Sequence, residues 1–256
     1  MIQKAFHIVR ESGLRELGNR ALALAYRRGL RPLLPSAGPV SYAGIPVAHY
    51  RKWGDRTVPS RWRPTSVQDV PGYEAALVAA IEEYTRTGDQ VVVIGGGLGV
   101  TAAIAALKAG ANGRVRCFEG ASQGVALVQR TARLNGVADR LTVHHAVVAR
   151  SIAVYGTQPN GEVVLPEELP ECDILELDCE GAEVDILRAM TIRPRAVLVE
   201  THGLYGASTP LVADLLNERG YSVSHRGVAE PRFSTVCEEN DIRVLVGVRN
   251  DALCPA

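Results

Sequence analysis

The 256 residues contain no CxxC, HxH or HExxH, which removes the common zinc frameworks, and no dedicated metal site is expected. The cysteines are few and odd in number: Cys117, Cys172, Cys179, Cys237 and Cys254. Three of them lie in or beside expected strands, which favours buried, reduced thiols over a disulfide framework. No apolar run approaches the roughly 20 residues that span a bilayer. The first thirty residues are charged throughout and lack an apolar core, so they do not read as a secretory leader. A cytoplasmic protein without a transmembrane segment is expected. The chain also lacks internal repeats, low-complexity tracts and any nucleic-acid motif with interleaved aromatics, so nucleic acid is not an expected partner.

What the sequence does have is an apolar content of 46%, enough for a substantial core in one generous domain with an appended arm. Net charge is zero but unevenly spread. Up to Arg63 there are twelve Lys and Arg against Glu11, Glu16 and Asp55, a balance of +9, which leaves −9 on the remaining 193 residues. A basic arm lying on an acidic domain, in the same chain or in a partner, accounts for this, and the arm offers a route to a homo-oligomer. Attraction to an anionic substrate, a lipid surface or nucleic acid is the sharper alternative. Residues 2–30 carry Phe6, Val9, Leu14, Leu17, Ala21, Leu24 and Ala25 at helical spacing, with arginines on the other face. Gly29 and Pro32 end that helix, a Pro/Gly-rich connector runs from Arg31 to Pro46, and a basic loop holds Trp53 and Trp62. Residues 1–65 therefore read as a basic helical arm or cap, and 66–256 as the main domain.

From Pro71 the pattern is regular. Helical stretches over GYEAALVAAIEEYTRTGD, LGVTAAIAALKAGA, ASQGVALVQRTARLNG, AEVDILRAM and STPLVADLLNERG alternate with short apolar runs VVVIG, RVRCFE, LTVHHAVV, CDILELD and AVLVETH. Such alternation implies right-handed crossovers and a Rossmann-like α/β fold whose mostly parallel sheet is covered on both faces. Two further runs, YSVSHRG and IRVLVGVRN, follow one another without an expected helix and read as an antiparallel hairpin at one edge. The polar segment 150–166 reads as a loop with a hairpin.

Four glycines stand at 95, 96, 97 and 99, where a buried strand turns into a helix. Glycine permits positive φ and close approach of a ligand to the backbone, and the helix beyond offers free N–H groups. Glu119 ends the next strand, twenty residues after Gly99, where a carboxylate can accept from two ribose hydroxyls. The spacing Gly95, Gly97, Gly99 is the G-x-G-x-G habit of S-adenosylmethionine methyltransferases. Ala102 at the third position of a GxGxxG count keeps NAD open, but the terminal antiparallel hairpin favours the methyltransferase plan.

At the end of the fourth expected strand of this alternation stand Asp178, Glu180 and Glu183. Asp178 and Glu180 share a face while the chain stays extended. Gly181 turns it, and Glu183 with Asp185 falls in a first helical turn, where the helix dipole favours negative charge. Glu200 and His202 end the next strand, His202 with an imidazole that titrates near neutrality. His144 and His145 face opposite sides of a strand, one toward core and one toward solvent.

The run LELDCEGAEVDIL resembles the signature of FkbM-type methyltransferases, matched at Asp178, Glu180, Gly181, Ala182 and Glu183. The resemblance extends through GYEAALVAAIEEYTRTGDQVVVIGGGLG, RVRCFE with Glu119, Leu134-Asn135 and LVETHG, covering roughly 70–250. It implies S-adenosyl-L-methionine as cofactor and a small-molecule hydroxyl acceptor, such as a sugar or polyketide. Gly95, Gly97, Gly99, Glu119 and Glu74 would serve the cofactor. Hydroxyl attack on a sulfonium methyl needs alignment and a base. Asp178 is the first candidate and His202 the second, with Glu200 to orient His202 or, with Glu180, to shape the acceptor pocket. Segment 150–166 and Trp53–Trp62 are further candidates for that pocket. The family usually carries an acid where Val93 stands, and a Lys where Glu176 stands; the latter change should add negative charge to the site. The Asn/Asp-Pro-Pro-Tyr motif of amino-directed nucleic-acid enzymes is replaced here by Asp-Cys-Glu-Gly. A nucleic-acid methyltransferase, a nicotinamide-dependent oxidoreductase and a catalytically silent binding protein are the competing readings.

Overall fold

A computed structural model describes residues 18–59, 62, 69–149 and 161–252. The chain divides into two compact units, Met1–Ser41 with Ala48–Asp69, and Tyr42–Val47 with Val70–Ala256. In the first, α1 (residues 18–25) runs into a π-helical turn at Tyr26–Leu30, and Pro32 enforces a tighter turn at Arg31–Leu33. The part of the expected 2–30 helix before residue 18 lies outside the described residues. The connector Arg31–Pro46 is more ordered than its Pro and Gly content suggests: it holds all of strand β1 (Ser36–Tyr42), which is joined by a tight turn to β2 (Ile45–Lys52). The short β3 (Asp69–Val70) lies on the other side of β1. Within this unit Asp55 is buried and accepts from Arg31, from the Tyr26 hydroxyl at 2.7 Å and from the Lys52 N–H at 2.8 Å.

The second unit follows the alternation read from its apolar runs. In chain order it comprises α2 (Ala75–Tyr84), β4 (Gln90–Ile94), α3 (Val100–Ala109), β5 (Arg114–Glu119), α4 (Ser122–Leu134) and β6 (Leu141–Val148). There follow β7 (Glu162–Val164), β8 (Ile174–Leu177), α5 (Glu183–Ala189), β9 (Ala196–Glu200), α6 (Thr209–Glu218), β10 (Tyr221–Val228), α7 (Ser234–Glu239) and β11 (Arg243–Arg249). The sheet order is β10-β11-β9-β8-β4-β5-β6-β7. From β9 across to β7 all neighbours pair in parallel, while β11 is antiparallel to both β9 and β10. This is a Rossmann-like α/β sheet, mostly parallel, with a C-terminal antiparallel strand pair at one edge.

One local expectation is corrected. The segment between β10 and β11 is not strand-to-strand chain alone: Ser234–Glu239 forms α7, whose Cys237 is buried. At the 161–166 end of the polar segment β7 pairs in parallel with β6; residues 150–160, and with them the expected hairpin, lie outside the described residues.

Alternation along each strand sorts the core. Val92, Ile94, Leu175, Leu177, Val197, Val199 and Leu245 join Ile186, Leu187 and Leu216 of α5 and α6 in one cluster. Val93, Glu176 and Leu198, in register on β4, β8 and β9, occupy the other face. Strand order reverses between β4's two neighbours, β5 and β8. A crevice therefore opens at the carboxyl end of β4, the place where open α/β sheets take ligands.

Candidate active site

Gly95 leaves β4 with φ of 100°, and a Cβ there would lie 1.8 Å from the carbonyl oxygen of Asp178. Glycine is therefore required both by dihedral and by space. The Asp178 N–H donates to Ile94 O at 2.9 Å, so β4 and the chain leaving β8 stay joined at the crevice floor. Gly97 (φ 48°) and Gly99 (φ 81°) complete the turn into α3, and no side chain caps that helix. Gly97 has open space where a Cβ would stand, so a ligand can approach the backbone there.

Glu119 at the end of β5 is brought directly to this turn. Its Oε2 accepts from the N–H groups of Gly96 and Gly97, both at 3.0 Å, and Oε1 accepts from Ala121 N–H at 2.8 Å. It is a braced carboxyl, not a solvated strand end. Gly124 of α4 makes room for it, since a Cβ there would come within 2.6 Å of that carboxyl. Sequence reasoning missed Gly124, because a glycine in a helix signals nothing until its neighbour is known.

Across the crevice, three segments converge. Glu74 precedes α2 in the left-handed region (φ 42°) and makes no capping bond. Its side chain interacts instead with the Tyr73 hydroxyl and with the charge of Asp178. The Asp178 side chain follows β8 and is 23% exposed. Glu200 and His202 close β9 and are buried. His202 Nε2 lies 3.6 Å from Asp178 Oδ1 and 3.7 Å from Glu200 Oε1. Its Nδ1 lies 2.8 Å from Glu183 Oε1.

Glu183 does more than complement a helix dipole, the role its position in the sequence suggests. Fully buried, it also accepts from Cys179 N–H at 3.2 Å and Gly181 N–H at 2.7 Å. It therefore holds both the Asp178–Gly181 turn and the imidazole. Of the two roles expected of Glu200, orienting His202 or shaping the pocket, the ring-nitrogen hydrogen bond that the first would use is made by Glu183, and Glu200 Oε1 lies 3.7 Å from the other ring nitrogen. His202 is further fixed by reciprocal backbone bonds with Ala207. Beside it, buried Thr201 bonds Thr209 at 2.8 Å.

Glu180 does not stay on the Asp178 face. The chain leaves the extended region there (φ 50°), and Glu180 is exposed at the rim of the crevice. Glu176 also departs from expectation. It is wholly buried, with the Thr101 hydroxyl of α3 beside it, and neither oxygen makes a hydrogen bond of normal geometry. Burial pushes its carboxyl well above the usual range, which opposes the added negative charge anticipated from sequence. Val93, its register partner on β4, is fully buried.

The same cause acts on the converging acids. Burial raises Glu200, and the charges of Asp178 and Glu74 raise it further. Burial and the Asp178 charge raise Glu74. Asp178 is raised by burial, against the opposing pull of His202. Burial would lower His202, but the Glu183 hydrogen bond and the nearby carboxylates win and raise it. A site of this kind can hold and move protons near neutrality. His144 is exposed and stacks on Phe118, while His145 is half-buried against Gly120 O at 3.2 Å; both lie away from this group on β6. Trp53 and Trp62 belong to the first unit.

No family model matches the chain, and no curated protein matches it. Solved structures similar to it include a SAM-dependent O-methyltransferase from Thermotoga maritima, 15% identical, over 76% of this chain and 69% of that one, with a TM-score of 0.47. Precorrin-6y C5,15-methyltransferase from Geobacter metallireducens is 15% identical over 67% of this chain and 87% of that one, TM-score 0.46. TrmN from Thermus thermophilus is 20% identical over 69% of this chain and 48% of that one, TM-score 0.45. At such values the chain's own strand order and pairing are the ground for its fold class.

Proposed function

We propose that this chain is an S-adenosylmethionine-dependent methyltransferase of the FkbM type that methylates a hydroxyl group of a small molecule such as a sugar or polyketide. The observation that carries the reading is the pairing of two half-sites across the β4 crevice. One is the glycine turn at Gly95–Gly99 braced to Glu119; the other is the Asp178–His202 pair. S-adenosylmethionine, when bound, supplies an electrophilic methyl group on a sulfonium.

The chain's residues fit that group. The turn offers open space at Gly97 beside the N-terminus of α3, which no side chain caps, and Glu119 offers an acceptor for ribose hydroxyls. Glu74 adds a carboxyl on the opposite wall. Asp178 and His202 would orient the acceptor hydroxyl and take its proton. Glu183 keeps the imidazole in place during that transfer. Glu180 at the rim and Glu200 within shape the acceptor's approach. In this reading residues 66–256 form the cofactor domain of a cytoplasmic enzyme, and 1–65 form a basic arm through which copies associate.

Calorimetric titration with S-adenosylmethionine, with NAD in parallel, tests the reading. Micromolar binding of S-adenosylmethionine alone is expected. Glu119→Gln should weaken it at least about tenfold, since a charged hydrogen-bond partner contributes roughly 1.5–3 kcal/mol. Binding of NAD in its place overturns the proposal.

A further inference from the structure

The convergence at the ends of β8 and β9 has a second feature that proton transfer does not require. Single ligand atoms from Asp178, Glu200 and His202 all lie within 4.8 Å of one another. The imidazole is oriented as a metal-binding imidazole is. Nδ1 is engaged by the fully buried Glu183, which leaves Nε2 turned toward the two carboxyls. A carboxyl on the far ring nitrogen is the usual outer-shell partner of a ligating histidine.

Glu200 gives an independent sign. The residue is 8% exposed, and its Oε2 is buried without a hydrogen-bond partner, although Oε1 points at His202. A buried carboxyl oxygen left without a donor is costly unless something positive completes it. Distances favour a cation over a shared proton. At 3.6 and 3.7 Å the Nε2–oxygen separations exceed hydrogen-bonding range. They lie near the separation of about 3.4 Å between neighbouring donors of a tetrahedral shell with bonds of about 2.1 Å.

We propose that Asp178, Glu200 and His202 form a binding site for one divalent first-row transition cation. One imidazole and two carboxyls suit manganese, iron, cobalt or zinc better than calcium, which takes an oxygen-only set. Three protein ligands leave coordination positions open, as in sites that bind an exogenous oxygen. Glu183 is a positioning residue for this site, acting through His202. The inference depends on these side chains and not on the glycine turn, so it stands or falls separately from cofactor binding.

The test uses the full-length chain stripped of metal with a chelator. Mn2+ and Zn2+ are titrated separately by calorimetry, and S-adenosylmethionine is titrated into the same preparations. The expected result is one saturable ion per chain. His202→Gln and Glu200→Gln should each weaken it at least about tenfold, and Glu183→Gln, outside the ligand set, about 10–100-fold. Thermal unfolding shows that each variant remains folded. Pulsed electron paramagnetic resonance of the Mn2+-loaded wild type, which needs no variant, should show coupling to an imidazole nitrogen. Absence of saturable binding of both ions up to about 1 mM overturns the proposal, as does binding that all three folded variants retain. Ion binding without S-adenosylmethionine binding sustains this proposal and sinks the methyltransferase reading.

Discussion

Gly95 and Gly97 look alike in sequence, and the structure separates them. Gly95→Ala forces a Cβ into the Asp178 carbonyl and should cost at least about 2 kcal/mol, enough to shift a urea midpoint clearly. Gly97→Ala meets no atom within 4 Å, so only its positive φ opposes it and the cost should be about 1 kcal/mol. Equal losses would contradict the described turn. The convergence of Asp178 and His202 was legible from their placement after apolar runs. That of Glu183 was not. A glutamate in a first helical turn satisfies the helix dipole whatever it touches, and its partner His202 stands 19 residues away. Glu183→Ala strips acceptors from Cys179 N–H, Gly181 N–H and His202. It should destabilise the fold by about 2–4 kcal/mol, with Glu183→Gln recovering part of the loss. A stability of Glu183→Ala equal to wild type in chemical denaturation would refute this buried role.

Elements were easier to read than side-chain roles, for a physical reason. β5 and β6 match the runs RVRCFE and LTVHHAVV residue for residue, because each is an apolar run bounded by breakers. The direction of β7 was not legible, since three residues carry no register of their own and pairing with β6 decides it. α7 escaped notice because Ser234–Glu239 is too short to show a helical period. Its connection has a use at the element scale. Asp241, in the left-handed region after α7, accepts from the Thr209 N–H and hydroxyl, both at 2.7 Å, and so caps α6 from outside that helix. Asp241→Ala should lower stability by about 1 kcal/mol, and amide hydrogen exchange should quicken in the first turn of α6 before it does elsewhere. Unchanged protection there would remove Asp241 from the capping role.

Across the whole molecule, the two units can be followed separately. Both tryptophans, Trp53 and Trp62, lie in the first unit, so intrinsic tryptophan fluorescence reports on that unit. Burial would raise the Asp55 carboxyl, but hydrogen bonds from Arg31, Lys52 N–H and Tyr26 outweigh it and hold it below its ordinary value. Its stabilising contribution is therefore complete above that ordinary value and is lost as pH falls through the lowered one. An acid titration should shift the tryptophan signal in that window. Asp55→Asn should flatten the response, and a persisting transition of equal size in the variant would assign it to other groups.

By itself the amino-acid sequence determined the alternation of strand and helix, the glycine turn and the acid that faces it. These depend on local periodicity, dihedral freedom and spacing along the chain. Only the tertiary structure decided which carboxyls burial pushes up, which one holds His202, and that Asp178, Glu200 and His202 share a focus. Those properties arise from burial and from contacts between segments joined by sheet pairing, and no local pattern encodes a neighbour that arrives from another strand.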